Sequence, residues 1–225
     1  MSKRGRWTNA REEKSFVCDA DPQCNLTFTV GATYDAPGTF EAITGTAPAA
    51  DLVQHAQGGD ILSATPLLSS VHEDSKGDPK RLAKALKGLK EYDYILIDTP
   101  PTMGQLVTQA LLAATGCIIC AHADILNVTA LEGLSGTIEV LQKKNKALEV
   151  WGVVLTRYND RAIVSRDAAE ALAETTREQL GAKIYKTRCR AYIAVSEAQA
   201  MQQDIFTYAP KSKAAADAKA LTRKY

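Results

Sequence analysis

Residues 92–104 read YDYILIDTPPTMG, and the apolar run inside this segment stops at Asp98. A nearly continuous apolar run is typical of a strand that is buried on both faces of a parallel sheet. The Thr-Pro-Pro that follows can continue neither a strand nor a helix without a break. We therefore predict a buried strand over residues 94–97, with Asp98 at its carboxyl end.

A carboxylate at the end of such a strand has two interpretations. It can simply end a core strand, or it can hold a magnesium ion through water beside the phosphates of a nucleotide. A second short apolar run, residues 15–18, is followed by Asp19 and Asp21. One alanine separates these two acids, so an extended chain points both in roughly the same direction. A second acidic strand end favours the ligand-binding interpretation over a solvated acidic turn.

Composition excludes several classes of protein. The 225 residues are 45% hydrophobic and 24% charged, which is typical of a globular α/β domain. The formal net charge of +1 gives no overall attraction to DNA or membrane, so a nucleic-acid surface would have to be a local patch. Five scattered cysteines do not predict a disulfide framework. With neither a signal peptide nor a membrane span, we expect a cytoplasmic protein.

The remaining pattern alternates strands and helices. Residues 1–14 lack apolar periodicity and are predicted to be an irregular tail before one domain, residues 15–225. The alternation predicts a doubly wound, mostly parallel sheet with helices on both faces, in which residues 95–97 are central and Asp98 lies beside Asp19 and Asp21. The predicted helices are residues 40–57, 79–90, 106–114 and 127–146, and one that Ser165 caps, ending at Leu180 before Gly181; the other predicted strands are residues 60–62, 117–120 and 150–155.

Two groups of residues are typical of metal sites but lack the necessary context. Cys117 and Cys120 have the spacing of a metal or redox pair. In a strand, however, side chains three residues apart point to opposite faces, so we interpret these cysteines as structural. His55, His72 and His122 share no motif, and we predict no metal site from them.

Several segments, in this order, resemble the ParA/MinD family of partition ATPases, which are P-loop NTPases with a deviant Walker A loop. DPQ and PKSK both occur, as in the ParA/Soj branch. The resemblance implies a P-loop NTPase-like fold. The matching segments are DADPQCNLT (19–27), YDYILIDTPPTMG (92–104), ALEGL (130–134), GVVLT (152–156), SEA (196–198) and YAPKSK (208–213).

The resemblance also implies a function. Intact relatives bind ATP with magnesium, dimerise around it and coat DNA non-specifically in chromosome or plasmid partitioning, together with a ParB-like centromere-binding protein. Carried over to this sequence, the family pattern implies that Asp21 orients the attacking water. Asp19 would support the metal site, and Asp98 would hold magnesium through water.

Two further sets of residues follow from the resemblance. Family segments that contact the nucleotide imply that Thr156, Tyr158 and Arg190 are nucleotide-binding residues here. Phosphate-contacting cations are what sequence-independent DNA binding needs. The family's DNA-binding residues correspond to Arg161, Lys211 and Lys213.

The sequence departs from the family at its start. The phosphate-binding segment KGGVGKT is absent from the 225 residues, and Lys3-Arg4-Gly5 matches it poorly. We therefore expect the N-terminal strand and P-loop to be missing or degenerate, through truncation or in a divergent paralogue. ATP hydrolysis is then expected to be absent in this chain.

Two alternatives stay open. One is a non-catalytic interaction protein that keeps the ParA surfaces, and the other is a MinD-like cell-division ATPase. Residues 214–225 are too polar for the membrane-binding helix of the MinD branch, so we predict no membrane partner.

Overall fold

The computed structural model describes residues 13–159 and 161–222, and the contacts among them form two units. One unit contains residues 13–114 and Gln199–Asp204. The other contains Thr115–Ala198 and residues 205–222. Most of the predicted N-terminal tail and the Lys3-Arg4-Gly5 segment lie outside the described residues. The prediction of one domain over residues 15–225 stays a prediction.

The first unit is built on a four-stranded sheet with the order β2-β3-β1-β4. Its first strand pairs in parallel with the third and fourth, and the second and third form an antiparallel hairpin. The strands are β1 (Ser15–Asp19), β2 (Gln54–Ala56), β3 (Gly59–Leu62) and β4 (Tyr94–Asp98), and the helices are α1 (Asn25–Thr29), α2 (Thr39–Thr44), α3 (Leu68–Glu73), α4 (Arg81–Leu86) and α5 (Gln105–Ala113).

The core of this unit lies on both sides of β1, whose five residues are all buried. Phe16 and Cys18 pack into a large cluster with residues from α2 to α5. Val17 points to the other face and packs with Val30 and Ile61. This alternation is the ordinary period of a strand covered on two faces. β1 is therefore one of the two inner strands of this sheet, beside β3, and it is covered on both faces.

Among residues 13–159 and 161–222, the prediction that residues 95–97 form the centre of the sheet is wrong. In the part of the chain that the structure describes, β4 pairs with β1 on one side only. Tyr94 and Leu96 are each 44% exposed. An apolar run predicts that a strand is covered, but it does not say how many neighbours the strand has.

The second unit contains a parallel three-stranded sheet with the order β5-β6-β7. Leu131, Val153, Leu155 and Leu172 form its buried centre. Helices follow each strand, as expected for a parallel α/β arrangement. The strands are β5 (Gly116–His122), β6 (Glu149–Tyr158) and β7 (Cys189–Arg190), and the helices are α6 (Ile125–Lys144), α7 (Ile163–Leu180), α8 (Ile193–Ala200), α9 (Ile205–Tyr208) and α10 (Lys213–Thr222).

Most predicted elements are confirmed, but residues 54–56, predicted to be helical, form β2, and the predicted burial of residues 94–97 is wrong, because each of them is exposed or half-buried. The helix predicted over residues 40–57 ends at Gly45, whose φ of +78° favours glycine, and a 3-10 turn and β2 follow. Ser165 lies inside α7 and does not cap it; the helix begins after Ala162. Gly181, with φ +59°, ends that helix as predicted.

The predicted α/β class with mostly parallel sheets is confirmed. Strands alternate with helices along the chain, and the β2–β3 hairpin is the antiparallel element of the described sheets. Within residues 13–159 and 161–222, no helix has the length and apolar character that crossing a membrane requires.

Candidate active site

The carboxyl ends of β1 and β4 bring the predicted acids together. Asp19 and Asp98 are register partners in the parallel pairing of these strands. The backbone N–H of Ala20 donates to the carbonyl oxygen of Asp98 at 2.9 Å. Asp21 follows closely, since its backbone N–H donates to Asp19 Oδ1 at 3.0 Å. The prediction that Asp98 lies beside Asp19 and Asp21 is therefore confirmed.

Asp19 is the buried anchor of this edge, with 0% exposure. Its Oδ2 accepts hydrogen bonds from the Thr27 backbone N–H at 2.8 Å and from the Thr27 hydroxyl at 2.7 Å. Burial raises the pKa of Asp19, while the hydrogen bonds from Thr27 and Asp21 oppose that rise. Both carboxylate oxygens of Asp19 already accept hydrogen bonds, Oδ1 from Asp21 and Oδ2 from Thr27. Asp19 therefore fits a supporting role better than direct contact with a metal. That role stays a prediction.

Thr27 connects Asp19 to a third segment. The hydroxyl oxygen of Thr27 accepts the backbone N–H of Ala64 at 2.8 Å, while its proton goes to Asp19. Thr27 is fully buried in α1, and Ala64 follows β3. One side chain thus joins β1, α1 and the segment that leads to α3.

Asp21 lies in the loop between β1 and α1. Its Oδ1 accepts the backbone N–H of Gln23 at 2.9 Å, and its carbonyl accepts the N–H of Cys24 at 2.9 Å. Cys24 has φ +56°, a left-handed conformation that is uncommon for residues other than glycine. The loop is therefore a tight turn that directs Asp21 to the edge of the sheet.

A pocket of about 380 Å³ opens beside Asp21. Three segments form it: the β1–α1 loop, α3 and the loop after β4. It carries two carboxylates and a histidine, and no lysine or arginine among residues 13–159 and 161–222 lines it. The lining residues are Asp21, Pro22, Gln23, Ser69, His72, Glu73, Pro100, Pro101 and Thr102.

His72 was not predicted to belong to this site. Its Nε2 lies 3.4 Å from the Thr102 hydroxyl, and a Cβ at Gly104 would overlap its imidazole ring. Its Nδ1 is buried without a hydrogen-bond partner among residues 13–159 and 161–222. No local signal in the sequence identifies His72, because α3 reaches the loop after β4 only in the folded chain.

The pKa of Asp98 is strongly raised in this site. Loss of hydration, and then the charges of Asp19 and Asp21, raise the pKa of Asp98 to about 6, although the residue as a whole is exposed at the surface. A bound cation would relieve this repulsion. The described ranges contain no group of three or more His, Cys, Asp or Glu side chains that could hold a metal. Magnesium commonly binds through one or two carboxylates, water and phosphate oxygens, so Asp98 fits such an ion.

Comparisons with known proteins agree with this geometry. Residues 8–150 match a protein family described as "AAA domain". The chain is 30% identical over 207 residues to the chromosome partitioning protein ParA of Caulobacter vibrioides, covering 87% of this chain and 76% of that protein.

This chain belongs to the ParA/MinD family of P-loop ATPases.

Solved structures of similar proteins support the same fold. The structure of apo McdA from Cyanthece is 26% identical, with a TM-score of 0.77 over 92% of this chain and 86% of that one. The septum site-determining protein MinD of Pyrococcus horikoshii, complexed with Mg-ADP, is 22% identical, with a TM-score of 0.74 over 94% of this chain and 83% of that one. At this identity, the likeness to MinD concerns the fold alone.

The predicted nucleotide-binding residues of this ParA/MinD-family chain lie at the carboxyl ends of β6 and β7. The Thr156 hydroxyl donates to the carbonyl of Ala121 at 3.4 Å, and Tyr158 is 3% exposed. The Arg190 guanidinium forms two hydrogen bonds with Asp217 at 3.1 and 2.7 Å. Their assignment to nucleotide binding stays a prediction, and Arg190 already has a carboxylate partner.

The predicted DNA-binding residues are all exposed. Arg161 begins the turn before α7, and its backbone N–H donates to Asn159 Oδ1 at 3.1 Å. Lys211 precedes α10, and Lys213 is its first residue. Exposure suits contact with phosphates. Their position on one common face stays a prediction.

Proposed function

We propose that the chain is a ParA-type partition protein that binds a magnesium nucleotide at the carboxyl ends of β1 and β4. The observation that carries this proposal is the register pairing of Asp19 with Asp98, with Asp21 bonded to Asp19. Asp98 would hold magnesium through water, Asp19 would fix the loop and Asp21 would orient the attacking water. Magnesium would offset the phosphate charge that these carboxylates repel.

We further propose that the 225-residue chain does not hydrolyse ATP measurably. Within these residues no glycine-rich, lysine-bearing loop offers backbone N–H groups to the phosphates. Three acids lie together at the strand ends, where they would repel the phosphates, and no lysine or arginine of the described part of the chain lines the adjacent pocket. The test is steady-state phosphate release by this chain with and without DNA, using Asp21→Ala as background. We expect the two proteins to be equal; turnover that Asp21→Ala abolishes would refute the proposal.

DNA binding is the second part of the proposed function. Arg161, Lys211 and Lys213 are the cations that we propose to contact the DNA backbone. Replacing all three by alanine should lower duplex affinity, and the salt slope of binding should fall by about 0.9 for each lost phosphate contact. The measurement is a salt titration of duplex binding.

A control variant separates this patch from general loss of charge. Lys143, Lys144 and Lys146 are exposed at the end of α6, and their replacement removes the same formal charge. We expect that triple variant to keep its salt slope. An unchanged slope in the first variant, or equal losses in both, would show that the proposed patch is the wrong one.

Partners follow from the same proposal. A ParB-like centromere-binding protein and a second copy of the chain are the expected protein partners, as implied by the ParA resemblance. Because no KGGVGKT segment occurs within the 225 residues, we also propose a second candidate, a non-catalytic interaction protein that keeps the ParA surfaces. Direct titration with Mg-ATP distinguishes the two, because only the first requires nucleotide affinity.

A further inference from the structure

Two arginines flank Cys189, Arg188 directly before β7 and Arg190 at its end, and their surroundings differ. Arg190 donates from Nε to Asp217 Oδ2 at 3.1 Å and from Nη2 to Asp217 Oδ1 at 2.7 Å. This is the bidentate geometry of strong arginine–carboxylate pairs. Only 13% of the Asp217 side chain is exposed. The pair ties β7 to α10.

The charge of Arg190 is therefore compensated within the chain. The hydrogen bond from Arg190 is the main cause that lowers the pKa of Asp217, so the carboxylate is ionised at neutral pH. Moving Arg190 to an external phosphate would leave Asp217 mostly buried without its partner, which is costly. Arg190 is thus poorly available for a ligand.

Arg188 has the opposite environment. Its side chain is exposed, and its Cζ lies 4.2 Å from the centroid of the Tyr158 ring. Tyr158 is 3% exposed and ends β6, so it is a fixed support for the guanidinium. Within the described ranges Arg188 forms no ion pair. Its N–H donors can therefore face an external anion.

Arg157 adds positive charge at the same strand end. It is exposed, immediately precedes Tyr158 and has φ +50°. A left-handed conformation at a residue other than glycine or asparagine costs energy, and such residues occur often at binding sites. The register of the β6–β7 pairing shifts between Thr156 and Tyr158, and this bulge accounts for the left-handed conformation of Arg157.

We propose that Arg188, stacked on Tyr158, contacts a phosphate group, and that Arg190 is a structural residue held by Asp217. The inference rests on the proposed function, because it names the residue beside the end of β6 that contacts the proposed ligand. The planar guanidinium fork matches phosphate geometry. The phosphate could belong to a nucleotide or to the DNA backbone, and the two sources need separate measurements.

The experiment uses the complete chain with Arg188→Gln, Arg190→Gln and the control Lys186→Gln. Lys186 is exposed and close in sequence, so its variant loses the same charge. We expect Arg188→Gln to bind Mg-ATP or duplex DNA roughly tenfold more weakly, the effect of one lost charged hydrogen bond. If DNA is the source, its salt slope should also fall by about 0.9. Arg190→Gln should lower the melting temperature and keep ligand affinity below that temperature.

The possible outcomes test the role of Arg188 separately from the proposed function on which it rests. A loss with Mg-ATP alone, with DNA alone or with both supports the role of Arg188 and identifies the phosphate source. Unchanged binding of both ligands by a folded Arg188→Gln overturns the inference, as does a loss confined to Arg190→Gln or equalled by Lys186→Gln. If the folded wild-type chain binds neither ligand, the proposed function fails and the inference fails with it.

Discussion

At the scale of single residues, the ionised carboxylate of Asp98 is repelled by the charges of Asp19 and Asp21. Its pKa is raised to about 6 through loss of hydration and the neighbouring charges of Asp19 and Asp21. Between the ordinary carboxyl pKa and this value, the folded chain binds more protons than the unfolded chain. Protonation of Asp98 therefore adds to the free energy of unfolding. This contribution is fully present below about pH 4 and is lost as the pH rises through about 6. Ionised Asp98 therefore destabilises the fold at neutral pH.

We expect Asp98→Asn to stabilise the chain at pH 7 and to have little effect at pH 4. Solvent access screens the interaction, so the gain should be only about 1 kcal/mol. Urea unfolding at the two pH values measures it. Asp35→Asn is the control, because it removes the same charge from an exposed loop residue. A variant less stable than wild type at pH 7 would contradict the assigned repulsion.

Residues of the site differ in how far the sequence could predict them. Asp19 and Asp98 could be predicted as neighbours, because each follows an apolar run and parallel strands end at one edge. Thr27 and His72 could not. Their roles depend on where α1 and α3 lie against the sheet, and no local pattern in a sequence encodes that placement.

At the scale of elements, two glycines at helices have opposite environments. Gly104 begins α5 with φ −179°, an extended conformation open to any residue, but a Cβ there would overlap His72. Gly133 lies within α6, where a Cβ would meet nothing within 4 Å. The same substitution should therefore have effects of opposite sign at the two positions.

We expect Gly104→Ala to lower the free energy of unfolding by about 1–3 kcal/mol, the usual cost of overpacking. Gly133→Ala should raise it by about 0.5–1 kcal/mol, because alanine favours the helix. Chemical denaturation of both variants measures the difference. If Gly104→Ala has no effect, the imidazole of His72 can move aside and does not fix the loop.

Element ends were the least predictable part of the fold. The apolar spacing of residues 40–57 resembles a helix, yet Gly45 and Pro48 interrupt it and β2 begins soon afterwards. The apolar run of β4 predicted a covered strand, and its pairing on one side could not be read from its own residues. Periodicity describes one element, whereas strand order depends on the others.

At the scale of the whole molecule, exposed aliphatic side chains gather at the carboxyl edge of the β5-β6-β7 sheet. Each helix that follows a strand of this parallel sheet begins at that edge and starts with exposed aliphatic residues. A formal net charge of +1 provides little repulsion between copies. Such a surface favours self-association. The side chains are Ile125, Leu126, Ile163, Val164, Ile193 and Val195.

We expect the double variant Leu126→Gln, Ile163→Gln to weaken self-association of the chain. These side chains are 78% and 63% exposed, so the fold should tolerate the change. Sedimentation velocity over a range of concentrations measures the effect. Val140→Gln is the control, since Val140 is 52% exposed further along α6. Equal association of all three proteins would exclude this edge as the contact between copies.

The hydroxyl of Thr27 has a mechanical consequence for the pocket. It donates to Asp19 and accepts the N–H of Ala64, and the chain continues from Ala64 into α3, which carries His72. A ligand that displaces the loop of Asp21 would pull on α1, and this hydrogen-bonded joint would transmit the movement to the opposite wall. We therefore expect the two walls to move together, so that the pocket widens or narrows through concerted motion rather than by the swing of one independent loop.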